Sequence, residues 1–290
     1  MAPDPATASS LFSAGRWLRN RVVGVGTFTA GQLDRLSAFV TFVGGAMGLL
    51  MDALAWFART MVPRRGRVGP SGLAEQMVRV GVESIPIVCL VQVFIGIILA
   101  LQMAPTLTSY GQLERVADII AIAVFRELGP LISAIVLSGF AGASIAAEIG
   151  AMVESEEIKA LQAHAINPVR FLIVPRLVAT VVMLTGLAVL ADVVGTFGGL
   201  LTAWLVLDID PLVYKDYTQA ALKHRDFLTG LVKAAVFGLM IALIACHEGL
   251  NVSGGAVGVG RATTATVVKS IVALIGVDCL FTAMFYIFGL

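Results

Sequence analysis

Uninterrupted apolar runs govern what this chain can become. Ser84–Ala104 carries no charge at all. Ile119–Ala147 is broken only by Arg126 and Glu127, Leu177–Leu207 only by Asp192, Phe227–Cys246 only by Lys233, and Ser270–Leu290 only by Asp278. About 20 apolar residues suffice for a helix to cross the hydrocarbon core. Only helices or closed barrels satisfy their backbone groups there. The chain therefore reads as an all-α membrane protein with five spans. Its composition agrees: 58% hydrophobic and 13% charged over 290 residues, against roughly half and a quarter in a soluble domain.

A sixth run, Ser37–Ala58, carries only Asp52. Arg16, Arg19, Arg21 and Arg35 precede it, and Arg59, Arg64, Arg65, Arg67 and Arg79 follow it. A crossing here would put one basic cluster outside, against the positive-inside tendency. The expectation is an N-terminal helix lying in the inner interface, with Trp56 at the headgroups. Residues 1–82 then form a cytoplasmic and interfacial region, and 83–290 a five-span domain. With the N-terminus inside, 14 of the 20 basic residues fall on inner segments and 5 on outer ones, which puts the C-terminus outside. Tyr110, Trp204, Tyr214 and Tyr217 then form an outer aromatic belt. No cleavable signal peptide is expected, because the first apolar run starts near Ser37.

Four sets of residues are candidates for chemistry. Arg126 and Glu127 lie inside a span, where each charge costs roughly 2.5–3.5 kcal/mol on insertion scales. At 3.6 residues per turn they point about 100° apart and must reach separate partners. Two readings stay open: a polar patch on a substrate path, or an inter-helix ion pair that holds the bundle. Asp192, Lys233 and Asp278 are lone intramembrane charges. Lys233 is expected to snorkel outward, and a proton relay through the three is the functional alternative. The small residues Ser138–Gly150, and the pair Gly195 and Gly199, suit close helix packing.

Between the second and third spans lies a short polar helix, Glu154–His164. Ser155 is its expected N-cap, Glu156 and Glu157 occupy its first turn, Ile158, Leu161 and Ala165 share a face, and Asn167-Pro168 ends it. This reads as a docking element on the inner side or as a plain connector. Asp210-Pro211 is the expected start of a short outer helix.

Other chemistry finds little support. Gly254–Thr264 is glycine-rich but lacks a P-loop's Gly-Lys-Ser/Thr ending and reads as a tight loop. Cys89, Cys246 and Cys279 sit singly in apolar runs and read as small hydrophobes. His164, His224 and His247 form no ligand motif. No catalytic or metal residue is expected.

Several motifs in order resemble the MlaE/YrbE family of ABC-transporter permeases. They are Arg126-Glu127-Leu128-Gly129-Pro130, Ala147-Glu148-Ile149-Gly150-Ala151-Met152, Glu156-Glu157-Ile158-Lys159-Ala160-Leu161, Asn167-Pro168-Val169-Arg170, Pro175-Arg176 and Gly258-Val259-Gly260-Arg261-Ala262-Thr263-Thr264. The similarity runs from about Gly72 to the C-terminus. It departs at Glu157, where the family often has Gln. The resemblance implies a homodimeric permease of the bacterial inner membrane that moves phospholipids or related lipids between inner and outer membranes. It implies two ABC ATPase subunits on the cytoplasmic side, which carry the ATP, and a ring of MCE proteins on the periplasmic side. This chain would bind no cofactor itself and no nucleic acid. Glu154, Glu156, Glu157, Ile158 and Leu161 would belong to the ATPase-coupling helix, and Arg126 and Glu127 to the lipid cavity. An ion- or proton-coupled carrier and a non-transporting membrane scaffold are the alternatives.

Overall fold

The computed structural model describes residues 37–38, 40–58 and 70–288. Among them the structure is helical, with no strand. The chain divides into two compact units, Met1–Gly48 and Leu49–Leu290. The division falls inside helix α1 (Val40–Ala58). The arginines expected to flank α1 in sequence, apart from Arg79, lie outside the described residues.

Six helical segments are long and apolar enough to cross a membrane: α1, Gly72–Ser109, Leu113–Glu154, Val169–Leu205, His224–Leu250 and Gly255–Phe288. This is the expected N-terminal helix plus five spans. In the second unit the segments resolve into α2 (Pro70–Val80), α3 (Ile85–Ser109), α4 (Val116–Ala123), α5 (Gly129–Leu137), α6 (Ala143–Glu154), α7 (Glu157–Ala163), α8 (Val174–Leu205), α9 (Pro211–Ala221), α10 (His224–Leu250) and α11 (Gly255–Phe288). Short connections make successive long helices antiparallel neighbours. One end of the bundle therefore carries α7 and the other α9.

α8 packs against α3 and α10, and α10 also packs against α5, α6 and α11. Small residues permit this closeness. A Cβ on Gly96 would collide with the Gly195 carbonyl, and one on Gly198 with the Val93 carbonyl. The Gly195/Gly199 stripe is thus a seam between α8 and α3. The core itself is made of Leu137, Ile145, Ile149, Leu184, Phe237, Ile241 and their neighbours. Trp56 packs on this core, with the Arg170 guanidinium 5.8 Å above its ring, a cation–π contact.

Three five-residue π-helical turns interrupt the ladders: Val124–Leu128, Ser138–Gly142 and Val169–Ile173. Such bulges re-aim side chains and recur at functional sites.

Local expectations fared unevenly. Asp210 Oδ1 caps α9 by accepting from the Leu212 amide at 2.7 Å. Ser155 caps nothing; its hydroxyl donates to Glu157 Oε1. The chain turns instead through Glu156, whose φ is 61°. α7 ends at Ala163, with Ala165 left-handed at φ 57°, before Asn167-Pro168 is reached. Asn167 Oδ1 accepts from the Val169 and Arg170 amides, so that pair opens the next helix. Within the expected Gly-rich loop, Gly254–Thr264, only Gly254 and Gly255 behave as turn glycines, at φ 95° and 68°. The rest of the expected Gly-rich loop is the first turns of α11.

Candidate functional site

The π-turn Val124–Leu128 carries Arg126 and Glu127 into two different contacts. Arg126 Nη1 lies 3.3 Å from Asp226 Oδ1 in the first turn of α10. Asp226 also accepts from the Lys223 amide, closing a capping box there. Glu127 points to the other side. Its Oε2 pairs with the Lys233 ammonium, and its Oε1 accepts from Thr282 Oγ1 at 2.7 Å. The Lys233 ammonium is also 3.0 Å from Asp278 Oδ1 and 3.1 Å from Thr282 Oγ1. It lies 5.7 Å from the centroid of Phe285.

One cation is thus shared by two carboxylates and a hydroxyl, drawn from the α4–α5 turn, α10 and α11. Lys233 is 1% exposed in its side chain, Asp278 14% and Glu127 34%. This corrects the expectation that Lys233 snorkels outward. Lys233 faces α11 and the α4–α5 turn, where two carboxylates and a hydroxyl hold its ammonium, while Leu228 and Val232 lie on the exposed side of α10. Lys233 neutralises carboxylates that would otherwise be stranded in the membrane. Glu127 is the most exposed member of the cluster.

Asp192 stands apart from this cluster. It is buried, its Oδ1 has no hydrogen-bond partner, and it presses on Gly129, where a Cβ would overlap it. Gln92 reaches the same turn and donates to the Leu128 and Gly129 carbonyls at 3.2 and 3.4 Å. Pro130, which has no amide hydrogen, leaves a carbonyl of the π-turn itself without its helical donor. Asp192, Lys233 and Asp278 do not form a single chain; only the last two meet.

The polar helix divides into two faces. Glu154 ends α6, Glu157 opens α7, and both are exposed, as is Glu156. Glu156 binds Lys159 at 2.7 Å. Lys159 holds the Glu156 carboxyl below its ordinary value, first through their hydrogen bond and then through charge. Ile158 and Leu161 turn inward and pack on the chain's own core. The apolar face read as a docking surface is therefore internal, and the free face is polar and charged.

Sequence reasoning missed Asp226, Thr282 and Phe285 as members. Thr282 and Phe285 follow Asp278 at i+4 and i+7, the spacing of one helix face, so that signal was present. It also missed a second ion cluster. Glu148 on α6 pairs with Arg79 of α2 and with Arg176 of α8 at 3.0 Å.

A bundle of helices long and apolar enough to cross a membrane, with a charge cluster among them and a short polar helix at one end, defines the class as a polytopic membrane protein. Sequence comparison agrees. The family described as Permease MlaE matches residues 73–284, and the chain belongs to that family. It is 34% identical over 214 residues to a probable ABC transporter permease protein of Rickettsia prowazekii, covering 74% of this chain and 83% of the relative. It is 32% identical over 215 residues to the intermembrane phospholipid transport system permease protein MlaE of Haemophilus influenzae, covering 74% and 82%. It is 31% identical over 222 residues to the chloroplastic protein TRIGALACTOSYLDIACYLGLYCEROL 1 of Arabidopsis thaliana, covering 77% and 63%.

Proposed function

We propose that this chain is the membrane subunit of an ABC transporter that moves phospholipids or related lipids between the inner and outer membranes of a bacterium. The observation that carries the reading is the Glu127–Lys233–Asp278–Thr282 cluster in a member of the MlaE permease family. Charges are retained inside a membrane at a cost, and a polar headgroup drawn into the bilayer is what such a patch suits. Arg126 and Glu127 contact the headgroup, and Lys233 holds Glu127 in place. The Haemophilus relative, described as part of an intermembrane phospholipid transport system, supports the choice of cargo.

The chain works as a homodimer in the inner membrane, with its N-terminus cytoplasmic and its C-terminus periplasmic. Two ATPase subunits bind ATP and engage the exposed face of α7 and the end of α6, through Glu154, Glu156 and Glu157. Ile158 and Leu161 transmit that engagement by their packing on the core. An MCE-domain ring receives or delivers lipid on the periplasmic side. This chain supplies no hydrolytic chemistry; nucleotide hydrolysis on the partner tilts α7 and with it the bundle.

The test is purification of the tagged chain from its native membrane in mild detergent, with identification of partner proteins and bound lipid. An ABC ATPase, an MCE-domain protein and phospholipid are expected. Recovery without an ATPase overturns the reading.

A further inference from the structure

Glu127 and Glu148 lie on the same continuous helical segment, Leu113–Glu154. Twenty-one residues separate them, about 30 Å at 1.5 Å per residue. That is about the thickness of the hydrocarbon core. The two ion clusters therefore occupy opposite leaflets, the Glu127 cluster towards the α9 end and the Glu148 cluster towards the α7 end.

The Glu148 cluster borders a cleft of about 160 Å³ between α2 and α6, lined by Gln76, Arg79, Glu83, Phe140, Ser144 and Glu148. The π-turn Ser138–Gly142 forms one wall and turns Phe140 outward. Arg79 spends one contact on Glu148. Its side chain remains 42% exposed, and a guanidinium has five N–H donors. Glu83 is exposed and has no ion-pair partner among the described residues. Gln76 Oε1 is buried without a hydrogen-bond partner. Arg176, 5% exposed in its side chain, neutralises Glu148 from behind. The exposed wall thus offers one free cationic edge and one free carboxylate. Phe140 lines the cleft and is itself exposed, and Val78 and Val82 are exposed apolar residues on the neighbouring stretch of chain.

We propose that this cleft seats the headgroup of a zwitterionic phospholipid, in the leaflet opposite the Glu127 cluster. The proposal rests on the lipid reading above and adds a second loading site to it. Arg79 takes the phosphate, Glu83 takes the ammonium, and Ser144 and Gln76 complete the polar contacts. The acyl chains leave past Phe140 into the bilayer. The paired charges select against a purely anionic headgroup, which would face Glu83 and Glu148 with one exposed cation in return.

The test uses the full-length protein in phosphatidylcholine nanodiscs doped with a phosphatidylethanolamine carrying a diazirine high on one acyl chain. Adducts are mapped by mass spectrometry. Two separate sets are expected, one at Val78–Val82 and Phe140, the other around Phe285. Ser144→Phe, which fills the cleft without touching an ion pair, should reduce the first set at least fivefold and spare the second. Glu83→Gln, on an exposed position that leaves folding intact, should lower labelling by phosphatidylethanolamine relative to a phosphatidylglycerol probe about threefold. Labelling around Phe285 alone overturns the second site and leaves lipid transport standing. Labelling at neither place overturns both. Full competition by millimolar glycerophosphoethanolamine assigns the cleft to a soluble phosphate compound and overturns the lipid assignment, as does a first set unchanged by both substitutions.

Discussion

Lys233 on α10 holds its ammonium 3.0 Å from the Asp278 carboxylate on α11 while also binding Glu127. Replacing Lys233 by Met leaves two carboxylates facing each other with no cation between them. Removing one partner of a buried pair costs about 3–5 kcal/mol. Thermal unfolding of the detergent-solubilised protein should report a loss of that size. The triple change Lys233→Met, Asp278→Leu, Glu127→Gln should recover most of it, because it removes the whole charged set. A cost below about 1 kcal/mol for the single change would mean the cluster is wetted, as surface pairs are.

Glu127→Gln separates function from support. Gln still accepts from Thr282, and Lys233 keeps Asp278, so the melting temperature should move little. Lipid transport in reconstituted vesicles should fall at least tenfold. The opposite pattern, a large loss of stability with transport retained per folded molecule, would make the cluster a brace alone.

The spans were legible because hydropathy over about 20 residues is a property of the local chain. So was the divergence of Arg126 and Glu127, which follows from helical period alone. Their partners were not, since Lys233 is 106 positions from Glu127 and Thr282 is 155. Lys233 was misjudged because hydropathy does not say which side of α10 the carboxylates meet. Ile158 and Leu161 were correctly found on one face, but the face was assigned to a partner although the chain's own core was available to cover it. The glycines from Gly258 to Gly260 read as loop by soluble-protein propensity. Gly is more frequent in membrane helices than in soluble ones; here Gly258 lies against the Ser253 carbonyl of its own preceding turn, and Gly260 faces open space.

α7 offers a clean contrast. Glu157→Lys and Lys159→Glu alter only its exposed face. Together they should reduce ATPase co-purification at least tenfold with no shift in melting temperature. Leu161→Asp buries a charge against the core and should lower both. Equal ATPase recovery from the exposed-face double variant would sink the coupling role.

The Glu156–Lys159 bond sets a pH window. Glu156 is depressed, first by its hydrogen bond to Lys159, so its contribution is present above the ordinary carboxylate value and lost as pH falls through the folded one. Lys159 is raised, first by the same bond, so its contribution is present below the ordinary lysine value and lost as pH rises through the folded one. Both are charged across about pH 6 to 9. ATPase association measured by pull-down should be flat over that range and weaken with salt, because the pair is exposed. A step near pH 7 would show that this pair does not set the association.

Gly129 and Asp192 form the most stringent steric pair. A Cβ at Gly129 overlaps Asp192 Oδ1, and neither side can withdraw easily. Asp192 is buried on α8, and Gly129 is fixed by Gln92 on one side and Pro130 on the other. Gly129→Ala alone should destabilise by about 1–3 kcal/mol, the usual cost of overpacking. Asp192→Ala alone also removes an unpaired buried polar atom and should be mild. In the double variant the new methyl fits the space left by the carboxylate. Its stability should exceed the sum of the single effects by about 1 kcal/mol or more, a coupling typical of residues in contact. Unfolding of all three variants measures it. Additivity within about 0.3–0.5 kcal/mol, the range for independent sites, would show that Asp192 does not rest on Gly129.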